Sequence, residues 1–157
     1  MKSRAFIAAI AFGTSLNASA FNEPDAVKLV RTYSKLVACG TEESKFIGFR
    51  LFGSSKEENE GDRYAVLWTG DMGCAGGNAT IFPQITVIEI RGHSTPQVIP
   101  DFKIPNIDLV TVMRAQKKDG AIIIEGIVNT GDPKRPTKPS TVVLKINEAG
   151  EFVSAKK

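Results

Sequence analysis

The sequence predicts an α+β fold: an N-terminal amphipathic helix packed on a curved, mainly antiparallel sheet of about six or seven strands, held by one disulfide. Three observations predict it. Apolar residues recur at helical spacing over residues 23–38. From Lys45 onward the pattern changes to short runs of β-branched and aromatic residues between turn residues. The chain has two cysteines, Cys39 at the end of the helical stretch and Cys74 in a glycine-rich loop. One helix followed by hairpin-connected strands puts the helix over one face of the sheet, and a closed barrel is the alternative.

The helix begins with an N-cap at Asn22, followed by Pro24 and Asp25 in the first turn. Ala26, Leu29, Val30, Tyr33, Leu36 and Val37 form one stripe, with Lys28, Arg31 and Lys35 on the other face. The helix is expected to run from about Glu23 to Ala38, with Gly40 as the left-handed closing residue.

Phe46 to Phe52 is the first strand expected, with Ile47, Phe49 and Leu51 on one face. In Arg63 to Thr69, Tyr64, Val66 and Trp68 face one way and Ala65 and Leu67 the other; two apolar faces imply a central strand. Ile81 to Ile90 follows, with Pro83 at its start, at a bulge or on an edge. Gly92 to Pro105 carries Pro96, Pro100 and Pro105 and reads as an irregular crossing with one extended piece at Gln97 to Ile99. Ile107 to Ala115 and Ala121 to Val128 flank Lys117-Lys118-Asp119-Gly120, a hairpin turn signal. Thr130 to Pro139 is expected as a polar loop, before strands at Thr141 to Ile146 and Glu151 to Ala155.

Residues 1–20 read as a secretory signal peptide: Lys2 and Arg4, an apolar run to Leu16, then the cleavage pattern Ala18-Ser19-Ala20. Residues 21–157 then form one exported domain, periplasmic or secreted, and the apolar run is too short for stable membrane insertion. The formal charge of +3 falls by two when Lys2 and Arg4 leave, which argues against a nucleic-acid partner.

An oxidising compartment favours pairing of the two cysteines. Cys39 and Cys74 would close a loop of about 35 residues, a constraint of roughly 3 to 4 kcal/mol. A reactive thiol or a metal ligand at Cys74 is the competing reading. The single histidine, His93, and the lack of C-x-x-C spacing give it little support.

No catalytic constellation, metal set or cofactor motif is present in the sequence, so the expectation is a protein that is not an enzyme and carries no cofactor. Asp71, beside the glycine loop, and Asp101, in the proline-rich crossing, are the carboxylates with access to chemistry, each more simply a turn residue. The Gly73 to Gly77 loop can present N–H groups to an anion, and Asn78 opens the sequon Asn78-Ala79-Thr80. Trp68 is a candidate anchor for a partner, weighed against a place in the core. Lys134, Arg135 and Lys138, among three prolines, form a basic loop able to meet an acidic surface.

The succession of signal peptide, helix, strand, Gly73-Cys74-Ala75-Gly76-Gly77, β-rich run and Asp132-Pro133 loop resembles small secreted bacterial proteins of unknown function. That resemblance implies a compartment and no activity. Glu60-Gly61-Asp62-Arg63-Tyr64 is similar to the Ser-Gly-x-x-Tyr motif of periplasmic lysozyme inhibitors, with Glu60 in place of the serine. In that family the segment inserts into the enzyme's cleft, which makes Gly61 and Tyr64 candidates for partner contact.

Together these readings give a non-enzymatic periplasmic binding or interaction module, an inhibitor, immunity or envelope-accessory protein, with a protein partner in the cell envelope. The alternative is a carrier of a small molecule or lipid, with its site between helix and sheet.

Overall fold

The computed structural model describes residues 20–43, 45–52, 61–73, 81–92, 94–147 and 151–154. Residues 1–19 of the stretch read as a signal peptide over 1–20, Glu60, Cys74 to Gly77, Asn78 and His93 lie outside the described residues.

Helix α1 spans Glu23–Val37 and starts as expected. The Asn22 side chain accepts from the Asp25 N–H (3.1 Å), and the Asp25 carboxylate accepts from the Asn22 N–H (3.1 Å), a reciprocal capping box. Its buried ridge is Ala26, Val30 and Ser34, whereas Leu36, expected in the stripe, is 82% exposed. The helix is turned toward its Val27 side because Gly48 admits its first turn. A Cβ at Gly48 would lie 2.9 Å from the Glu23 carbonyl oxygen and 3.1 Å from Val27 Cγ2. At the C-terminus Ala38 is extended, and Gly40 enters a strand instead of closing the helix in a left-handed conformation. The reason is that Cys39 N–H already donates to the Asp71 carbonyl (2.9 Å), so the chain passes straight from helix to ladder.

Strands β1 (Gly40–Thr41), β2 (Ile47–Phe52), β3 (Asp62–Asp71), β4 (Phe82–Ile90) and β5 (Gln97–Ile99) form one antiparallel sheet. Strand β3 is central as expected, with β4 on one side and both β1 and β2 on the other. Strands β6 (Thr111–Lys118), β7 (Ala121–Asp132), β8 (Arg135–Ile146) and β9 (Phe152–Ser154) form a second sheet, a simple meander.

The single curved sheet, and the barrel as its alternative, are thus corrected to two stacked sheets of nine strands among the described residues. Alternation in a sequence tells which residues share a face, but not which strands share a ladder. The faces themselves are as read. Tyr64, Val66, Trp68 and Ile88 pack under α1 with Ala26 and Val30. Phe49, Leu51, Ala65, Leu67 and Val87 pack on Val112, Ile122, Ile124, Leu144 and Phe152 of the second sheet. The layers are therefore helix, sheet and sheet.

The loop expected over Thr130 to Pro139 is a second correction: it is the projecting end of the β7–β8 hairpin, paired out to Asp132↔Arg135. Its prolines are tolerated because β9 pairs β8 only from Leu144 to Ile146, which leaves the outer part of β8 as an edge. The tip is ordered by its own side chains. Asn129 Oδ1 accepts from Gly131 N–H (3.0 Å), and Asp132 Oδ1 accepts from Lys134 N–H (2.8 Å). The turn between β6 and β7 holds Asp119 and Gly120 at φ 50° and 70°, the twist a two-residue hairpin requires.

Cys39 is disulfide-bonded. It leaves α1 on the side where β1 joins β3; Cys74 is the only other cysteine in the chain. No helix among the described residues is long and apolar enough to cross a membrane.

Candidate functional site

The described site residues expected from sequence divide between the two ends of β3. At the far end, Gly61 packs against the Ile90 backbone, where a Cβ would come within 1.8 Å of the carbonyl oxygen. Tyr64 is 2% exposed; its hydroxyl donates to the Phe21 carbonyl (2.8 Å) and its ring meets Phe21 edge-to-face at 5.3 Å. Burial pushes the Tyr64 hydroxyl above the usual phenol range. Trp68 lies 1% exposed beneath the helix, stacked on Phe46 at 6.0 Å, and its indole N–H donates to Thr86 Oγ1 (2.9 Å). Tyr64 and Trp68 are thus core residues in this fold. Asp71 is buried, and its Oδ1 accepts from Gly73 N–H (2.9 Å), the local turn role expected of it. Asp101 is exposed in a turn.

A hollow opens elsewhere, along the edge of β4. It has a volume of about 590 Å³ and is lined by Phe82–Ile85, by Ile104–Val110 and by Asn129. A smaller hollow of about 120 Å³ lies beside it, reached by Trp68, Met72, Thr86 and Val98, and the two share Gln84, Ile85 and Ile104. Phe82, Val110 and Met72 are substantially exposed around these openings.

The backbone directions at this edge follow from bonds on the other side of the sheet. The Thr69 and Asp71 carbonyls accept from Glu42 and Cys39, so the odd-numbered residues of β3 point toward β1 and β2. The even-numbered ones therefore bond to β4, through the opposed pairs Gly70↔Phe82, Trp68↔Gln84 and Val66↔Thr86. Pro83, Ile85, Val87 and Glu89 consequently turn their backbone groups the other way, toward β5. Pro83 fits because no N–H is needed there. Strand β5 covers only Val87 to Glu89, so no described strand lies beside Pro83 and Ile85.

The side chains alternate accordingly. Gln84 and Thr86 share the helix-side face with Trp68 and Val66, while Pro83 and Ile85 share the inter-sheet face with Thr69 and Leu67. The larger hollow therefore adjoins the inter-sheet side and the smaller one the helix side. Among the described residues Asp108 is the only ionisable group on the larger hollow's lining, and Asn106 Nδ2 donates to its Oδ1. That lining can hold apolar surface and a few hydrogen-bonding groups; it places no acid beside a base. Among the described residues no group of three His, Cys, Asp or Glu side chains is arranged to hold a metal.

The strongest charge cluster lies at the opposite end of the sheet and is structural. Arg63 Nη2 meets Glu89 Oε1 at 2.6 Å, Arg91 Nη2 meets Glu89 Oε2 at 2.8 Å, and the Arg63 guanidinium lies 5.4 Å from the Phe102 ring centroid. The Arg63 hydrogen bond, helped by Arg91, holds the Glu89 carboxyl below the usual range against the opposing effect of burial. A depressed folded pKa contributes stability above the ordinary carboxylate range, and that contribution fades as pH falls through this range toward the folded value. Glu89→Gln should therefore cost about 1 to 2 kcal/mol at neutral pH, and the difference from wild type should shrink at an acid pH below the ordinary carboxylate range. Urea melts of the two proteins at both pH values check this.

Sequence reasoning missed this groove as a site. Its signals were Pro83, placed at a strand start or edge, and the prolines of the crossing, read only as irregular structure. The chain matches no family model, no curated protein and no solved structure.

Proposed function

We propose that the protein is an exported, non-enzymatic binding module whose ligand site is the groove between the β4 edge and residues 104–110. One observation carries this reading: a hollow of about 590 Å³, walled by Ile85, Ile104, Ile107 and Leu109 with Phe82 and Val110 exposed around it, stands beside the part of β4 that no described strand pairs. A recess that combines apolar surface with hydrogen-bonding groups is a usual form of binding site. The side chains Gln84, Asn106 and Asn129 supply hydrogen bonds that fix orientation without offering a nucleophile or a general base.

Export is supported by the charged, apolar and Ala18-Ser19-Ala20 segments at the N-terminus. Pairing of Cys39 with Cys74 is supported by the bonded state of Cys39 and by the count of two cysteines. In this reading the bond ties the end of α1 to the connection between β3 and β4, and so steadies the strand that forms one wall of the groove.

The test is capture of ligand from an envelope extract by the exported chain and by surface variants. Val110→Asp and Phe82→Ala alter side chains at the groove that are 37% and 46% exposed, so the fold should survive them. Each is expected to reduce capture about tenfold or more, as loss of a central contact does. Leu36→Ala, on the outer helix face, should leave capture unchanged. Equal capture by all three variants would remove the groove from the function.

A second reading, a carrier of a small apolar ligand, has support from the groove volume, which falls within the roughly 300 to 1,000 Å³ range of small-molecule sites. Its place would be this groove. The helix–sheet interface expected to hold such a ligand packs Ala26, Val30, Tyr64, Val66, Trp68 and Ile88 together, and the hollow on that side, lined by Tyr33, Trp68 and Thr86, measures only about 120 Å³. Release of a small molecule on denaturing the purified protein would favour the carrier over a protein-binding module.

A further inference from the structure

Resting on the groove reading, we propose that the occupant is an extended peptide segment, added as a strand to β4 at Pro83–Ile85, beside which no described strand runs. The backbone makes the first part of the argument. Ile85 turns its N–H and C=O, and Pro83 its C=O, toward the side where β5 has ended. The chain's own strand stops there because Pro100 and Asp101 form a turn, which carries the chain away before Asp101 can pair with Ile85. An edge left in this state is a template for another strand, and its donors and acceptors match a peptide backbone.

The two hollows make the second part. A strand sends successive side chains to opposite faces. At this edge one face opens into the hollow of about 590 Å³ and the other into the hollow of about 120 Å³, and both touch Gln84, Ile85 and Ile104. A strand bonded to Ile85 would therefore place alternate side chains in hollows of very different size. The matching segment carries bulky apolar residues at every second position and small residues between them. A lipid tail has no backbone groups to satisfy Ile85 and no reason to divide itself between two faces.

The test selects random heptapeptides from a displayed library against the exported chain, then measures affinity for synthetic copies of the enriched sequences. Bulky apolar residues alternating with small ones are the expected enrichment. N-methylation at every second residue, on the amides facing β4, should abolish binding, whereas methylation of the intervening amides should change it by less than about twofold. On the protein side, Ile85→Pro removes the edge-facing N–H in the same parity that Pro83 already occupies, so the β3–β4 ladder is retained. It should weaken binding about tenfold or more.

Equal tolerance of methylation at all positions would overturn strand addition, as would failure to enrich any alternating sequence. The N-methyl series gives this answer even if Ile85→Pro does not fold. Should Val110→Asp still abolish binding of a peptide that tolerates methylation everywhere, the groove stands and only strand addition fails. If Val110→Asp has no effect either, both readings fail.

Discussion

Trp68→Ala is expected to lower the unfolding free energy by about 3 to 5 kcal/mol, the range for removing a buried aromatic side chain. Trp68 is 1% exposed and belongs to the cluster that joins α1 to the first sheet. Its loss would remove the stack on Phe46, which itself lies under the Arg31 guanidinium at 5.2 Å. It would also leave the Thr86 hydroxyl, 7% exposed, without the indole N–H. Trp68→Phe keeps much of the volume and should cost about half as much. Denaturant melts monitored by circular dichroism measure both; a loss below about 1 kcal/mol for the alanine variant would contradict the core assignment.

The second large effect is expected at Gly126, where the fold admits no side chain. Gly126 lies on β7 opposite Val112, beside the register shift between Val112 and Arg114 that leaves Met113 as the extra residue. A Cβ there would stand 2.1 Å from the Thr111 carbonyl oxygen and 3.0 Å from Leu109 Cδ1. A flexible side chain can move aside, but a ladder carbonyl moves only with its strand. Gly126→Ala should therefore cost about 3 kcal/mol, at the upper end of ordinary overpacking. Gly40→Ala is the contrasting case: nothing lies within 4 Å of its Cβ, and the change should stay within about 0.5 kcal/mol. Similar losses at both glycines would show that chain entropy, and not the close approach to Thr111, governs them.

Much of the local structure was legible because single residues carried it. Asn22 and Asp25 announced the cap, Asp119-Gly120 the hairpin turn, and the alternation of Tyr64 to Trp68 the central strand with its two buried faces. Gln97–Ile99 appears as read. What the residues did not carry was partnership between distant segments. The meander from Thr111 onward was as compatible with continuing the first sheet as with stacking on it. Two residues of β1 held too little pattern to be seen. Gly48 marked a close approach within a strand, but only the fold shows that the first turn of α1 fills that space.

The candidate site was harder for the same reason. Tyr64 was singled out by the motif that Glu60 to Tyr64 resembles and Trp68 as an aromatic anchor, and the polar groups of both are used inside the core by Phe21 and Thr86. The groove is built from ordinary apolar residues whose significance lies in where two strands end. Pro83 and Pro100 carried the relevant information separately, one marking a place in β4 where no N–H is needed and the other the point where β5 stops beside it.

The most direct test of the groove as ligand site is photo-crosslinking from a benzophenone side chain placed at position 110, with position 36 as the control. Both are exposed on the protein surface, one at the groove and one on the outer helix face. The account predicts a discrete adduct from position 110 in envelope extract, absent from position 36 and suppressed by Phe82→Ala. An adduct from position 36 alone, or one from position 110 that persists undiminished in Phe82→Ala, would contradict it.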